Sequence, residues 1–298
     1  MNVQVSPQPT TASPIKASFP VRRMDFDFDH VPHYWANNDA GLTHFMTALS
    51  SLFPDGEQFF VDSVRAVRKD PKLAAQTMQK EISAFIGQEA MHSKEHDAFN
   101  RSAEKYGHDV QYMERFTGKV IQYGASTALK LLKPFGYTKE MIGLTGTCAL
   151  EHFTSTIASE LLQNEEIQAM FKDETMYKLW MWHAVEENEH KAVAFDVYET
   201  MYGNGFKAYA MRNIAMVIAM GLIFITQSYF TARLLKDDGK LTWKDTKYML
   251  KFMYGRKGFM TSQLPELLTF FRPKFHPNDT DTTALLATWK EKLGFTAH

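Results

Sequence analysis

From Asp55 to Gly203 the alternation of apolar and polar positions reads almost entirely as helix, with glycine and proline falling mainly at the joints. A first helix is predicted from near Pro54 to about Lys69. Asp70-Pro71 is a start signal, a capping side chain followed by proline at the first helical position, and predicts a second helix running to Tyr106, with Gly107 as its stop. A third stretch covers about Val110 to Lys133 and ends at Pro134. Thr138 is placed to cap a helix reaching Gln163, and Asp173 to cap another that ends at Gly203. Strict alternation and hairpin turns are missing from this span, so no strands are expected. Long helices with short joints make a bundle, and the predicted class is all-α.

The pattern changes after Gly203. Between Arg212 and Arg233 lie 20 residues without a charge, including the apolar run from Ile214 to Ile225. From Arg233 to Lys274 there are ten Lys/Arg against four Asp/Glu, a basic piece in a chain whose net charge is -1. The end reads as a loop and one short amphipathic helix. Burial of the apolar run against the bundle is the first expectation. Contact of residues 208–260 with an anionic membrane surface is the second, and it would favour a lipophilic substrate. The chain thus divides into a polar, proline-punctuated lead-in (1–18), a helical bundle (19–205) and an extension with extra helices (206–298). The lead-in has no apolar h-region, so a cytoplasmic protein is expected, with possible association at the inner membrane face.

Composition narrows the chemistry. At 45% hydrophobic and 22% charged residues the chain is globular, and its near-zero net charge gives no argument for nucleic-acid binding. The single Cys148 excludes an internal disulfide and a cysteine-rich metal site. Any metal must be held by His, Asp and Glu.

Those residues recur in a pattern. There are two Glu-x-x-His motifs, Glu89-Ala90-Met91-His92 and Glu187-Asn188-Glu189-His190. Residues three apart on a helix point the same way, so each motif offers a carboxylate and an imidazole to one point. Each is preceded, on the previous helix, by an acid set among apolar residues: Glu57, 32 positions before Glu89, and Glu151, 36 before Glu187. The same unit, a Glu helix and then a Glu-x-x-His helix, therefore occurs twice. Together they supply the ligand set of a dimetal carboxylate centre in a ferritin-like four-helix bundle: Glu57, Glu89, His92, Glu151, Glu187 and His190. The ordinary alternative is a set of buried acids paired with Lys or Arg and of satisfied core histidines. It is weak here, because six buried polar groups without metal are costly.

Four carboxylates neutralise two divalent ions, and one imidazole per ion makes a site suited to iron or manganese. Iron is the expected metal, with manganese–iron or zinc as alternatives. His96 and His183 lie one turn from His92 and Glu187 on the same stripes, and each is a candidate third imidazole ligand or supporting donor. Glu186 also stands one turn from His190, but the repeat selects Glu187. His152, beside Glu151, points to another face.

The segments Phe19-Pro20-Val21-Arg22-Arg23-Met24-Asp25-Phe26, Leu52 to Glu57, Phe85 to His92 and Trp182 to His190 resemble the bacterial "predicted metal-dependent hydrolase" family of the ferritin-like superfamily, over roughly residues 19 to 290. That resemblance implies the bundle fold and a metal site. For the reaction, helix-borne Glu-x-x-His pairs favour, by analogy of fold, a di-iron enzyme that activates dioxygen to oxidise or hydroxylate an apolar substrate. In it Glu57, Glu89 and His92 would serve one iron and Glu151, Glu187 and His190 the other, with electrons from a ferredoxin or reductase. Phe59, Phe60, Phe85, Phe153, Trp180 and Trp182 form an aromatic wall that is either core or the lining of an apolar pocket. The alternative is a metal-dependent hydrolase attacking an ester, amide or phosphate with metal-activated water. Iron storage or metal binding alone is the third class, disfavoured by the long extension.

Overall fold

A computed structural model describes residues 17–295, so the lead-in expected over 1–18 lies almost wholly outside the described residues. The chain is all-helical: α1 Ala40–Ser50, α2 Phe53–Val67, α3 Gln76–Ala103, α4 Val110–Leu132, α5 Lys139–Gln163, α6 Glu165–Gln168, α7 Glu174–His190, α8 Val193–Tyr202, α9 Phe206–Asp237, α10 Trp243–Tyr254, α11 Phe259–Ser262, α12 Leu264–Thr269 and α13 Thr283–Lys292. Among the described residues there is no strand, only an isolated bridge between Ala36 and Phe171.

Two helical hairpins, α2 with α3 and α5 with α7, pack against each other through α2–α5 and α3–α7 contacts, and α4 spans the gap between them along the outside. Side-chain caps set several of the boundaries. Asp109, Thr138 and Asp173 accept from the backbone N–H of Tyr112, Met141 and Met176. Gly107 closes the turn after α3 in the left-handed conformation, at φ 85°, which a side chain would strain.

Three elements depart from the sequence pattern. Asp70 caps a short 3₁₀ turn, Pro71–Leu73, and α3 begins only at Gln76. There the Gln79 amide donates to the Arg68 and Leu73 carbonyls and fixes the bend. The helix expected from Asp173 to Gly203 breaks after His190, where Lys191 reaches across to the Thr280 carbonyl at 2.6 Å and the chain restarts as α8. The third is α1, for which the pattern predicts no element: Gly41 to Ser50 are all buried, so it lacks the polar face that marks an amphipathic helix.

The apolar run lies within α9, which packs on α1 and α5. Met216, Thr226, Gln227 and Phe230 are buried, whereas Val217, Ile218, Phe224 and Ile225 are more than half exposed. The expectation of burial therefore holds for one side of the helix only. Of the described helices, α9 is long and apolar enough to cross a membrane, and 28% of its most apolar stretch is buried.

Candidate metal centre

Glu57 on α2, Glu89 and His92 on α3, Glu151 on α5, and Glu187 and His190 on α7 all turn into the space between the two hairpins, each at most 2% exposed. Ligand-capable atoms gather in three overlapping groups: Glu57 with His92 and His183, Glu89 with Glu151 and His190, and Glu89 with His92 and Glu187. The hairpins interleave here. Glu89, from the first, sits with Glu151 and His190 of the second. One oxygen of Glu187 faces three rings, 3.6 Å from His92 Nδ1, 3.0 Å from His183 Nε2 and 3.7 Å from His190 Nε2. The carboxylates of the two Glu-x-x-His motifs thus occupy the middle of the group, and Glu57 and Glu151 its two ends.

Hydrogen bonds on the outer side of each ring fix its tautomer. His92 Nε2 donates to Glu186 at 3.1 Å, which leaves Nδ1 as the lone pair facing inward. The Gln88 amide donates to Pro20 O and Glu189, so its oxygen faces His190 and accepts from Nδ1 at 2.8 Å, turning His190 Nε2 inward. The third ring is set by a longer chain. The Ser50 hydroxyl donates to Asn100, so it accepts from His96 Nδ1 at 2.8 Å. His96 Nε2 then accepts from His183 Nδ1 at 2.7 Å, and His183 Nε2 is left facing Glu57 and Glu187. His183 is thereby the inward imidazole and His96 its support. Glu186 faces His92 and Arg22 from outside, and Glu187 is the inward acid.

With neutral rings, three imidazole lone pairs would point at four carboxylates; without metal, His183 Nε2 lies within hydrogen-bond distance of Glu187, at 3.0 Å, and the carboxylates favour a proton on His190. Both oxygens of Glu57, Glu89 and Glu151, one of Glu187, His92 Nδ1 and His190 Nε2 are buried without a hydrogen-bond partner. The 2.9 Å contact between His190 Nε2 and Glu89 is too poorly aligned to count as one. Lone pairs facing anions repel, and a cation shared among them removes both the repulsion and the desolvation cost. Among the protein groups alone, burial and the nearby Glu89 push Glu57 and Glu151 well above the usual carboxylate range. Burial opposes charge on His190, yet Glu89 and Glu187 raise it well above the usual histidine value. Metal loading therefore has to release protons. The donor set is hard to borderline oxygen and nitrogen, without thiolate, and fits iron, manganese or zinc.

Sequence reasoning missed the groups around this set. Arg22 donates to Glu186 at 2.9 Å and grips Glu189 with two bonds of 2.6 and 2.8 Å. It lies in the Phe19–Phe26 segment that carries the family resemblance, the one signal that could have marked it. Ser50 and Asn100 carry no signal beyond being polar among apolar neighbours. Burial raises Glu186 to about 7 even against the pull of Arg22; the guanidinium limits that rise and so favours the charged form that accepts from His92. Arg22→Met is expected to weaken metal binding about 10–100-fold, as loss of a ligand's partner does, and to cost about 1–3 kcal/mol, because Glu186 loses its guanidinium partner while Glu189 keeps Lys290 and Gln88. Zinc titration and chemical denaturation measure the two effects.

The aromatic wall divides between packing and pocket. Phe85 meets the His190 ring edge-on, Trp182 the His92 ring and Trp180 the His96 ring. Phe59, Phe60 and Phe153 instead line an apolar cavity of about 210 Å³ between α2, α4, α5 and α9, with Glu57 at its inner end. His152 hydrogen-bonds the Glu266 carbonyl and stacks on Phe270, away from the centre.

An all-helical bundle with buried Glu/His clusters placed to hold metal defines a metalloprotein class. Residues 20–281 match the family described as predicted metal-dependent hydrolase. The chain belongs to that family. No curated protein and no solved structure matches it.

Proposed function

We propose that the protein is a dimetal hydrolase that cleaves an ester-type acyl bond of an apolar, lipid-like substrate. In this reading Glu57, Glu89, His92, Glu151, Glu187 and His190, with His183 as third imidazole, hold two divalent ions. The observation that carries it is the cavity: among the described residues lining it, Glu57 is the only charged side chain, so an apolar chain seated there ends at the centre. The family description supports hydrolysis over other uses of the metal. When bound, the ions supply Lewis-acid activation of water and of the acyl carbonyl. The protein groups do the rest. The cavity wall holds the chain and excludes water. Glu57, whose two oxygens are buried without a hydrogen-bond partner and which also lines the cavity, would be the group placed to take a proton from water and return it to the leaving group. The Ser50–His96–His183 chain keeps the third ring from turning.

The exposed face of α9 supports delivery from a membrane surface. Ile218 and Leu222 line the cavity and are also exposed, so its α9 wall continues onto that face, and the basic stretch 233–274 follows in sequence.

One observation favours a second reading, dioxygen-dependent oxidation of the same substrate class. Apart from Glu57 the cavity offers only the hydroxyls of Thr117, Thr154 and Thr226, and the first two bond their own helices. An unfunctionalised chain needs nothing more. The test reloads stripped protein with zinc, manganese or iron and assays p-nitrophenyl esters of increasing chain length beside an oxygen electrode. Ester cleavage without dioxygen uptake is expected. Substrate-dependent dioxygen uptake by the reduced iron form, without ester cleavage, would move the assignment to oxidation.

A further inference from the structure

A second cluster of histidines lies apart from the carboxylate centre. His33 is in the segment before α1, His44 on α1, and His108 in the joint before α4. One nitrogen from each ring lies within 4.8 Å of the other two. We infer that these three imidazoles form a separate transition-metal site, with zinc as the expected ion, which clamps the N-terminal segment, α1 and the α3–α4 joint together.

The geometry is that of ligands around one small ion. His33 Nε2 and His108 Nε2 stand 3.2 Å apart. Two nitrogens on a tetrahedral zinc at about 2.0–2.1 Å are separated by about 3.3 Å. His44 Nε2 donates to Asp238 at 2.9 Å, which leaves its Nδ1 as the lone pair, and that atom is buried without a partner. A carboxylate behind a histidine in this way is the usual support of a metal-bound ring, fixing its tautomer and raising its basicity. Asp238 is itself fixed at the end of α9, where it also accepts from Tyr34 at 2.8 Å. His33 is held flat between the rings of Tyr34 and Tyr106, at 4.3 and 4.4 Å, so its nitrogen is already aimed. Burial and the two neighbouring imidazoles push His108 down to about 4, which keeps its ring in the neutral, ligating form.

Without an ion His33 and His108 can share a 3.2 Å hydrogen bond, but the inward nitrogen of His44 has no partner. That Nδ1 is buried, and His44 borders a void of only about 10 Å³ shared with the two other rings, Tyr106, apolar side chains and the hydroxyls of Thr43, Thr47 and Ser102. A water there would need several polar partners; an ion needs only the three lone pairs and one further ligand. The site also has a consequence for the carboxylate centre. It anchors α1 through His44, and Ser50 on the same helix sets the tautomers of His96 and His183.

Zinc titration of the full chain after chelator stripping tests this, comparing wild type with His108→Gln and Asp238→Asn. Wild type is expected to bind one equivalent more than His108→Gln, and Asp238→Asn to bind that equivalent about 10–100-fold more weakly. If His108→Gln fails to fold, the Asp238→Asn comparison decides alone, since it removes a charge and keeps the side chain's shape. Equal stoichiometry and equal affinity in wild type and the folded variants would overturn the site.

Discussion

Glu151→Leu is expected to lose the metal and yet make the metal-free protein more stable. Both Glu151 oxygens are buried without a hydrogen-bond partner, and burial together with Glu89 pushes its carboxyl well above the usual range. A buried polar group left unpaired costs about 1–3 kcal/mol, a cost that leucine of similar size removes. The metal-free variant should therefore unfold several degrees above the metal-free parent. The opposite holds with metal present. Glu151 shares a cluster with Glu89 and His190, and its loss should weaken binding at least about 100-fold, beyond the effect of removing a mere ligand support. Calorimetry of both proteins, stripped and reloaded, separates the two effects. A metal-free variant less stable than its parent would mean that the 3.5 Å approach of Glu151 to His190 stabilises the metal-free fold.

The second large effect concerns the substrate. Gly124 on α4 lines the apolar cavity, and a Cβ added there meets open space. Gly124→Phe is expected to fill the cavity while leaving the metal content unchanged, since α4 contributes none of the carboxylate or imidazole groups. The backbone should gain about 0.5–1 kcal/mol from losing a helical glycine. On this account kcat/KM for long-chain esters falls at least about 10-fold and that for acetyl esters stays within a factor of about two, because a methyl group needs none of the cavity. An unchanged chain-length profile would separate the cavity from the reaction.

How much of this was legible depends on what each feature needs. The starts of the Glu151 and Glu187 helices were readable because Thr138 and Asp173 are local caps, whereas the Asp70 cap and the Gly203 stop belong to other elements. The inward acids were readable because the Glu then Glu-x-x-His unit is duplicated. The division of ligands between two ions was not, since it depends on how α3 and α7 interleave. The roles of His96 and His183 were symmetric in spacing. Only Ser50, on a helix with no amphipathic signature, breaks the symmetry by fixing which ring faces inward. Arg22 acts on residues more than 160 positions away, a pairing no local pattern encodes. The run within α9 had the composition of both a core and a surface helix, and it serves as each on opposite sides.

We propose that four carboxylates and three imidazoles together hold two ions. The most direct test is the metal count, by elemental analysis, of stripped full-length protein reloaded with a single divalent metal, alongside X-ray absorption at that metal's edge. With the His108→Gln variant used to silence the separate histidine cluster, the account predicts two ions per chain in a mixed oxygen–nitrogen shell, separated by about 3.5–4 Å. One ion or none, or two with no metal–metal vector at that range, would contradict it.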